Sequence, residues 1–316
     1  MRVATPPSPP ETVADARAAE HGARTALRAD AVTTQFADAS FERIPFGLSN
    51  HAWRATTDAG ASVFVRLSAA DNERLGADHR NECRVLALAA EAGIAPAVIR
   101  CDPSERVLVT RWIDAVPPPQ DAEQRSVVGT LLARLHSLAI PVDVRHVDFE
   151  RQAQMLERTV PPPRREPQLA QVAGRVFERL RETRRALVFC HHDLHPLNLV
   201  WDRDRRPWLV DWEYAGRGDA AIDLASYASQ HGLDARGRAR LLHDYLGAGG
   251  VPDARRLELA TWAFDYVQWL WYAASLDVDR AVANREIVAI RSRRLQSSLR
   301  VRASRVLRCN NAGFEA

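Results

Sequence analysis

The side chains with the clearest capacity for chemistry fall close together. His191-His192-Asp193-Leu194-His195-Pro196-Leu197-Asn198 is a polar loop between short apolar runs, and Trp208-Leu209-Val210-Asp211-Trp212-Glu213 follows it. Asn198 and Asp211 offer hard oxygen ligands of the kind Mg²⁺ takes. That leaves Asp193 to orient an attacking hydroxyl and accept its proton. A second reading competes. His191, His192, Asp193 and His195 are the donor types of a transition-metal cluster, which would make the chain a metallohydrolase. That reading gives Asn198 and Asp211 no role. Asp219 and Asp223 lie near the start of a predicted helix, where capping is the ordinary role. Asp223 otherwise serves as a buried hydrogen-bond anchor for the loop.

Those groups need elements to hold them. The apolar runs at 186–189, 199–201 and 208–210 read as short buried strands. Upstream, His51-Ala52-Trp53-Arg54-Ala55 and Val63-Phe64-Val65-Arg66-Leu67 flank the turn Asp58-Ala59-Gly60, which predicts an antiparallel hairpin. Residues 72–92 read as a helix ending at Gly93. A second hairpin should turn at Asp102-Pro103-Ser104. The order β-β-α-β-β predicts a small sheet with one helix. Val116-Pro117-Pro118-Pro119 then interrupts the chain. Beyond it, helical periods run over 121–138, 146–159, 167–185, 220–231, 234–246, 253–277 and 281–308. Residues 1–35 are rich in Pro, Ala and charge, which predicts a loosely ordered N-terminal tail with at most one short helix. The expected organisation is that tail, a sheet-bearing N-lobe and hinge over 36–114, and a larger helical C-lobe over 115–316.

Composition narrows the class. At 316 residues the chain has room for about two domains or lobes. With 46% hydrophobic and 26% charged residues it reads as globular. No apolar run approaches the roughly 20 residues that span a bilayer, and the first 30 residues contain no apolar signal-peptide core. A cytoplasmic protein without a membrane span is expected. Cys83, Cys101, Cys190 and Cys309 are scattered without a Cys-x-x-Cys pair, so neither a zinc site nor a disulfide framework is expected. The net charge is +3, and all 43 basic residues are Arg. A lysine Schiff base, a P-loop lysine and a conventional kinase lysine are thereby excluded. Residues 280–308 hold nine Arg and one Glu. They read as a docked amphipathic helix whose buried face carries Ile287, Ile290, Leu295, Leu299 and Val306, with a solvated Arg face. No aromatics are interleaved for base stacking, so no nucleic-acid partner is expected.

The segment 262–272 carries six aromatics. On a helix, Trp262, Asp265, Tyr266, Trp269 and Tyr272 share one face, and Phe264, Gln268 and Trp271 share the other. Core packing is the ordinary explanation. An aromatic cage for a cationic ligand is the alternative, with Asp265 or Glu213 facing the ligand's charge.

The pattern His191-x-Asp193-x₄-Asn198, then Asp211-Trp212-Glu213, resembles the catalytic and metal loops of the aminoglycoside-phosphotransferase-like small-molecule kinases. The stretch Tyr214-Ala215-Gly216-x-Gly218-Asp219-x₃-Asp223-Leu224-Ala225 is most similar to their choline kinase and thiamine kinase branch. The resemblance runs from about 44 to 275. It implies an α+β, two-lobed protein-kinase-like fold and an ATP- and Mg²⁺-dependent phosphotransferase acting on a small-molecule hydroxyl. Asp193 would be the catalytic base, and His191 would hold the loop. Asn198 and Asp211 would hold Mg²⁺, with Glu213 beside them. Gly47, Ser49 and Asn50 would form the nucleotide loop, which has Phe46 where the branch usually has another glycine. Arg66 would contact the phosphates and pair with Glu82. The backbone from Thr110 to Ile113, with Trp112 between them, would be the hinge facing adenine. Trp271 matches the second aromatic of the branch's cation site, while Gln268 stands at the first. The expected acceptor is a small cationic alcohol, choline- or thiamine-like, bound by Trp269, Trp271 and Asp265. An antibiotic phosphotransferase is the alternative within the family, and a catalytically silent kinase-like binding protein lies outside it.

Overall fold

A computed structural model describes residues 13–44, 50–68, 77–183, 185–250, 253–276 and 282–308. The chain divides into two compact units. The first comprises Met1–Pro118, Leu199–Glu213 and Asp279–Arg285; the second comprises Pro119–Asn198, Tyr214–Val278 and Glu286–Ala316.

The first unit is built on an antiparallel sheet of five strands. These are β1 (Ser40–Arg43), β2 (Asn50–Thr56), β3 (Ser62–Ser68), β4 (Val98–Asp102) and β5 (Val107–Arg111), in the order β1-β2-β3-β5-β4. Both expected hairpins form. The β2–β3 turn closes with Gly60 donating to the Thr57 carbonyl at 2.8 Å, and Gly60 has a φ of 84°. At the β4–β5 turn, Asp102 Oδ1 accepts from the Ser104 and Glu105 amides at 3.0 and 3.2 Å. Alternation sorts the side chains. Trp53, Ala55, Val63, Val65 and Val109 enter the core from one face, so Arg66 emerges on the other, toward α2 (His79–Glu91). Asp78 caps α2 by accepting the Asn81 amide at 3.0 Å. The helix therefore starts later than the expected residue 72; it ends as expected, with Gly93 at a φ of 65°.

Four expectations need correction. The N-terminal region is not loosely ordered throughout: Val13–Arg28 form helix α1. Its Ala19, Ala23 and Leu27, spaced four apart, pack into the sheet core with Phe36. Arg24 Nη1 ties it down by donating to the carbonyls of Ala37 and Ala39 at 2.8 and 3.0 Å. Small apolar residues make this stripe, so it gives a weak periodic signal. Next, Cys83 of α2 and Cys101 of β4 form a disulfide. Their spacing of 18 residues carries no motif, and only the packing of α2 beside β4 brings them together. Third, the hairpin of β7 (Leu199–Trp201) and β8 (Pro207–Leu209) clusters with the first unit rather than with 115–316. The Leu209 amide donates to Ile94 O at 2.9 Å, and the Val116 amide donates to Trp201 O at 2.7 Å. The fourth concerns the basic C-terminal helix.

The second unit is mostly helical, with α3 (Asp121–Ser137), α4 (Phe149–Thr159), α5 (Pro167–Glu182), α6 (Ala220–Gln230), α7 (Ala235–Gly247), α8 (Ala254–Ser275) and α9 (Val282–Arg308). A two-stranded sheet of β6 (Val188–Cys190) and β9 (Gly216–Gly218) carries the polar loop. α8 packs against α4, α5 and α6, and its Trp262 indole donates to Leu299 of α9. A helix enclosed on all sides is apolar all round. This accounts for the aromatics on both of its faces. On α9 the buried line runs through Val288, Ser292, Leu299 and Val306, while Ile290 stays exposed. Its arginines are partly used inside the unit: Arg302 pairs with Asp265, and Arg300 pairs with Glu166 at 2.5 Å.

Leu27→Ala should cost about 2–4 kcal/mol of stability, because it opens a cavity between α1 and the sheet. Urea unfolding measures this. A change under about 0.5 kcal/mol, the usual range for surface sites, would mean that α1 does not contribute to the core.

Candidate active site

In the first unit, Arg66 is the hub. Its Nη2 donates to Glu82 Oε2 at 2.5 Å and its Nη1 to Asp211 Oδ1 at 2.6 Å. His79 Nδ1 lies 3.3 Å from the same Glu82 oxygen. Burial alone would lower the Arg66 pKa, but the carboxylates of Glu82, Asp211 and Glu213 reverse this and hold it charged. Arg66 Nε has no acceptor among the described residues. The turn after β8 presents two carboxylates because Trp212 is locked inside it. The indole is fully buried and donates to Leu209 O at 3.0 Å, and Asp211 takes a φ of 65°. Glu213 is buried and accepts from Asn50 Nδ2 at 3.2 Å. Burial, and then the charge of Asp211, push its pKa up to about 8. Arg66 and the Asn50 amide offset this only in part, and a divalent cation would add positive charge there. Thr110 is buried in β5, and Trp112 donates to Asp114 Oδ1 at 3.1 Å with the Arg54 guanidinium 4.9 Å from its ring. Phe46, Gly47 and Ser49 lie outside the described residues.

In the second unit the loop after β6 hangs from α6. Asp223 Oδ2 accepts the His191 amide at 2.8 Å, and Oδ1 accepts the His192 amide at 2.7 Å. His136 Nε2 lies 3.1 Å from Oδ2, and its Nδ1 lies 2.8 Å from the Tyr245 hydroxyl. Burial would raise the Asp223 pKa, but the hydrogen bond from His136 and the adjacent histidine charges hold it at about 2. Ser226 Oγ accepts the Leu194 amide at 2.8 Å. His136, Tyr245 and Ser226 were not singled out by the sequence. They sit on three different helices, so no local spacing marks them.

The loop turns back on itself at Pro196–Asn198. Asn198 Nδ2 donates to both the carbonyl and Oδ2 of Asp193, each at 2.9 Å. With its amide nitrogen so committed, the side-chain oxygen of Asn198 is left as a hard ligand. His192 has a φ of 67°, and its buried ring donates through Nδ1 to Tyr214 O at 3.2 Å. The ring fills the space that a side chain at Gly218 would need: a Cβ there would lie 2.6 Å from His192 Cε1. A Cβ at Gly216 would lie 2.6 Å from the Arg145 carbonyl. The glycines of β9 are thus required by close approach.

The histidine-cluster reading fails on geometry. Among the described residues, the group of three metal-ligating side chains brought together is His136, Cys190 and Asp223. His191, His192 and His195 do not belong to it, and His136 and Asp223 are already hydrogen-bonded to their neighbours.

The expected acceptor residues separate. Asp265 is buried, accepts from Ser229 Oγ and pairs with Arg302, so its charge is already neutralised inside the unit. This overturns its expected role as the partner of a substrate cation. Trp269 is buried, with its ring 5.7 Å from Tyr266. The two line a cleft of about 320 Å³ with Glu157, Arg158 and Arg165. Trp271 is half-buried and meets the ring of Tyr272 edge-on at 5.4 Å.

Gly218→Ala should displace the His192 ring and cost about 1–3 kcal/mol of stability. Adding His192→Ala should restore part of the loss; strictly additive effects would show that the two positions do not touch. The same ring sets a pH dependence. Burial holds His192 near pKa 4, below its ordinary 6.5. The unfolded chain therefore binds the extra proton between those values, and this group's contribution to stability is lost as pH falls from 6.5 toward 4. Comparing His192→Gln with the parent by urea unfolding across that range should show the variant's stability falling less steeply, by about 1.4 kcal/mol per pH unit. Parallel curves would contradict a neutral buried imidazole.

Comparison with known proteins bears on the fold and the family. No curated protein sequence matches the chain. The choline kinase LicA from Streptococcus pneumoniae superposes with a TM-score of 0.73 at 17% identity, over 83% of this chain and 93% of that one. The same kinase in complex with AMP superposes at 0.71. A choline/ethanolamine kinase family protein from Mesorhizobium loti gives 0.68 at 24% identity, over 90% and 98%. A microcompartment-associated aminopropanol kinase gives 0.67 at 16% identity, over 89% and 98%. These likenesses show the protein-kinase-like fold. A family profile described as the phosphotransferase enzyme family (APH) matches residues 40–260. With that match spanning most of the chain, the protein belongs to the phosphotransferase enzyme family and is a small-molecule kinase.

Proposed function

We propose that the protein moves the γ-phosphoryl group of ATP to the hydroxyl of a small amino alcohol, with Asp193 as the base. The observation that carries this reading is the loop around Asp193. Its carboxylate is oriented by Asn198 Nδ2 at 2.9 Å, and its backbone is suspended from Asp223 and Ser226. An Asp held in this way can align an acceptor O–H and take its proton. The acceptor oxygen then bonds to the γ-phosphorus as the bond to the β-phosphate bridging oxygen breaks, and ADP leaves. Phosphoryl transfer of this kind is mostly positioning and charge neutralisation.

The donor types fit Mg²⁺. Asp211 with Asn198 would hold it, with Glu213 close to Asp211 in sequence and charge. When bound, the ion neutralises phosphate charge and orients the γ-phosphate. Arg66 would hold the α- and β-phosphates. Its planar fork binds phosphate bidentately, which makes arginine a workable replacement for the missing lysine. Gly47, Ser49 and Asn50 would cover the phosphates, with Thr110 and Trp112 beside adenine. The named neighbours act on choline, ethanolamine or aminopropanol, which supports an amino alcohol as the acceptor class. Trp271, half-buried beside Tyr272, is the better placed aromatic for it, and the buried Trp269 the lesser. No described helix is long and apolar enough to cross a membrane. The cytoplasm, where ATP is plentiful, is the compartment the activity requires.

An ATP-consumption screen over amino alcohols, sugars and antibiotics tests the reading. Asp193→Asn should lower kcat by about 10²–10⁴-fold while leaving nucleotide affinity by calorimetry nearly unchanged. Near-parental kcat would remove Asp193 from the mechanism. Asp211→Ala should also lose activity, and raised Mg²⁺ should not restore it. Full activity in a chelator would refute the metal assignment.

A further inference from the structure

Helix α2 is tied to the rest of the first unit at three successive points. At its N-cap, the Asp78 amide donates to the Glu213 carbonyl at 3.3 Å. In its first turn, Glu82 takes Arg66 Nη2 on Oε2, the same oxygen that His79 approaches. Glu82 Oε1 is buried without a donor among the described residues. The next residue, Cys83, is bonded to Cys101 of β4. A carboxylate held by one oxygen takes its position from the helix that carries it, and the disulfide fixes that helix one residue away.

Packing anchors the other half of α2. Its buried apolar residues are Val85, Leu86 and Ala89, all beyond Cys83, whereas the buried residues at its start are His79, Asn81 and Glu82. The covalent bond to β4 is therefore the strongest restraint on the half that carries Glu82. It is also within chemical reach. Cys83 and Cys101 are both half-buried, so a thiolate can approach the sulfurs, while Cys190 is fully buried. Disulfides are rare in reducing compartments, and those that occur there serve mainly redox sensing or catalysis. An enzyme that consumes ATP works in such a compartment.

We infer that the Cys83–Cys101 pair is a redox switch on nucleotide binding. The disulfide form holds Glu82 on Arg66 and binds ATP tightly. The dithiol form lets the start of α2 shift, leaves Arg66 to Asp211, and binds ATP more weakly. This rests on the phosphotransferase reading and goes beyond it by giving that activity a control. The reductant is a dithiol. One of its thiolates attacks a cysteine sulfur, forming a mixed disulfide and releasing the other cysteine as a thiolate, which takes a proton. Its second thiolate then displaces the remaining cysteine, which is protonated in turn. The reductant leaves as a disulfide, and two electrons and two protons end on Cys83 and Cys101.

The test measures affinity for a non-hydrolysable ATP analogue with Mg²⁺, by calorimetry, on the full chain as the disulfide and after reduction with dithiothreitol. Reduction should weaken binding by about fivefold or more, and because coupling is reciprocal, saturating analogue should shift the thiol–disulfide equilibrium in a glutathione buffer toward the disulfide by the same factor. Alkylation and mass spectrometry read that shift. Cys83→Ser should bind like the reduced parent and ignore the reductant. Glu82→Gln should bind weakly in both redox forms, with no difference between them; a redox difference that survives there would place the effect elsewhere and refute the inference. Equal affinities in the two parent forms, with only urea stability lowered by reduction, would make the disulfide a structural staple; the inference would be wrong and the kinase reading would stand. A reduced chain that unfolds outright refutes it equally. If neither form binds the analogue or consumes ATP with any acceptor, the inference and the proposed function fall together.

Discussion

Asp223 is a carboxylate with no access to water that accepts two consecutive backbone amides and an imidazole. Each of those bonds is to a charged acceptor, the strong class of hydrogen bond. Together they stabilise a loop whose backbone is otherwise unfavourable, since His192 sits at a positive φ that bulky residues seldom adopt. Removing the carboxylate would leave two amides buried without acceptors, at a cost of about 1–3 kcal/mol each. The remaining features of the loop follow from this anchor. Ser226 on the same helix takes the next amide but one, β9 must carry glycine where the His192 ring lies, and Asp193 emerges where Asn198 can hold it.

Arg66 plays the corresponding part in the first unit, by a different balance. One buried cation is set against three carboxylates, two of them in direct contact. The pair with Glu82 is almost completely desolvated, so it contributes geometric definition more than net stability. The surplus of negative charge remains on the turn after β8. Helix α2 contributes Glu82, and the disulfide one residue later ties that helix to β4.

The parts of this architecture written in local chemistry were readable from the residues. Asp58-Ala59-Gly60 and Asp102-Pro103-Ser104 announce their turns because the side chain or the glycine itself closes them. Asp193, Asn198 and Asp211 stood out by residue type and spacing, and the structure places Asn198 on Asp193 and Asp211 on Arg66. What depended on pairing across the chain was not readable. Asp265 looked available for a ligand because its partner, Arg302, lies on another helix. Cys83 and Cys101 looked unrelated for the same reason. The buried line of α9 was misjudged at Ile290, because Val288 and Ser292 face the core and apolar character alone did not reveal the register. α1 was expected as no more than one short helix in a loose tail, because alanines make a quiet stripe. The aromatics of α8 invited a search for one meaningful face, whereas the helix is enclosed on several sides.

The absence of lysine at residue 66, where the proposed function seats the phosphates, has a practical side. Reagents that survey kinases across a proteome commonly deliver an electrophile to the amine that sits beside bound nucleotide. At Arg66 there is no amine to acylate, and the guanidinium, kept protonated by its carboxylates, is not a nucleophile. Such surveys would pass over this enzyme even when it is abundant and active. Acetylation cannot silence it at that residue, and covalent inhibitors aimed at the usual lysine would spare it. Chemical labelling would have to target another group or rely on reversible nucleotide capture.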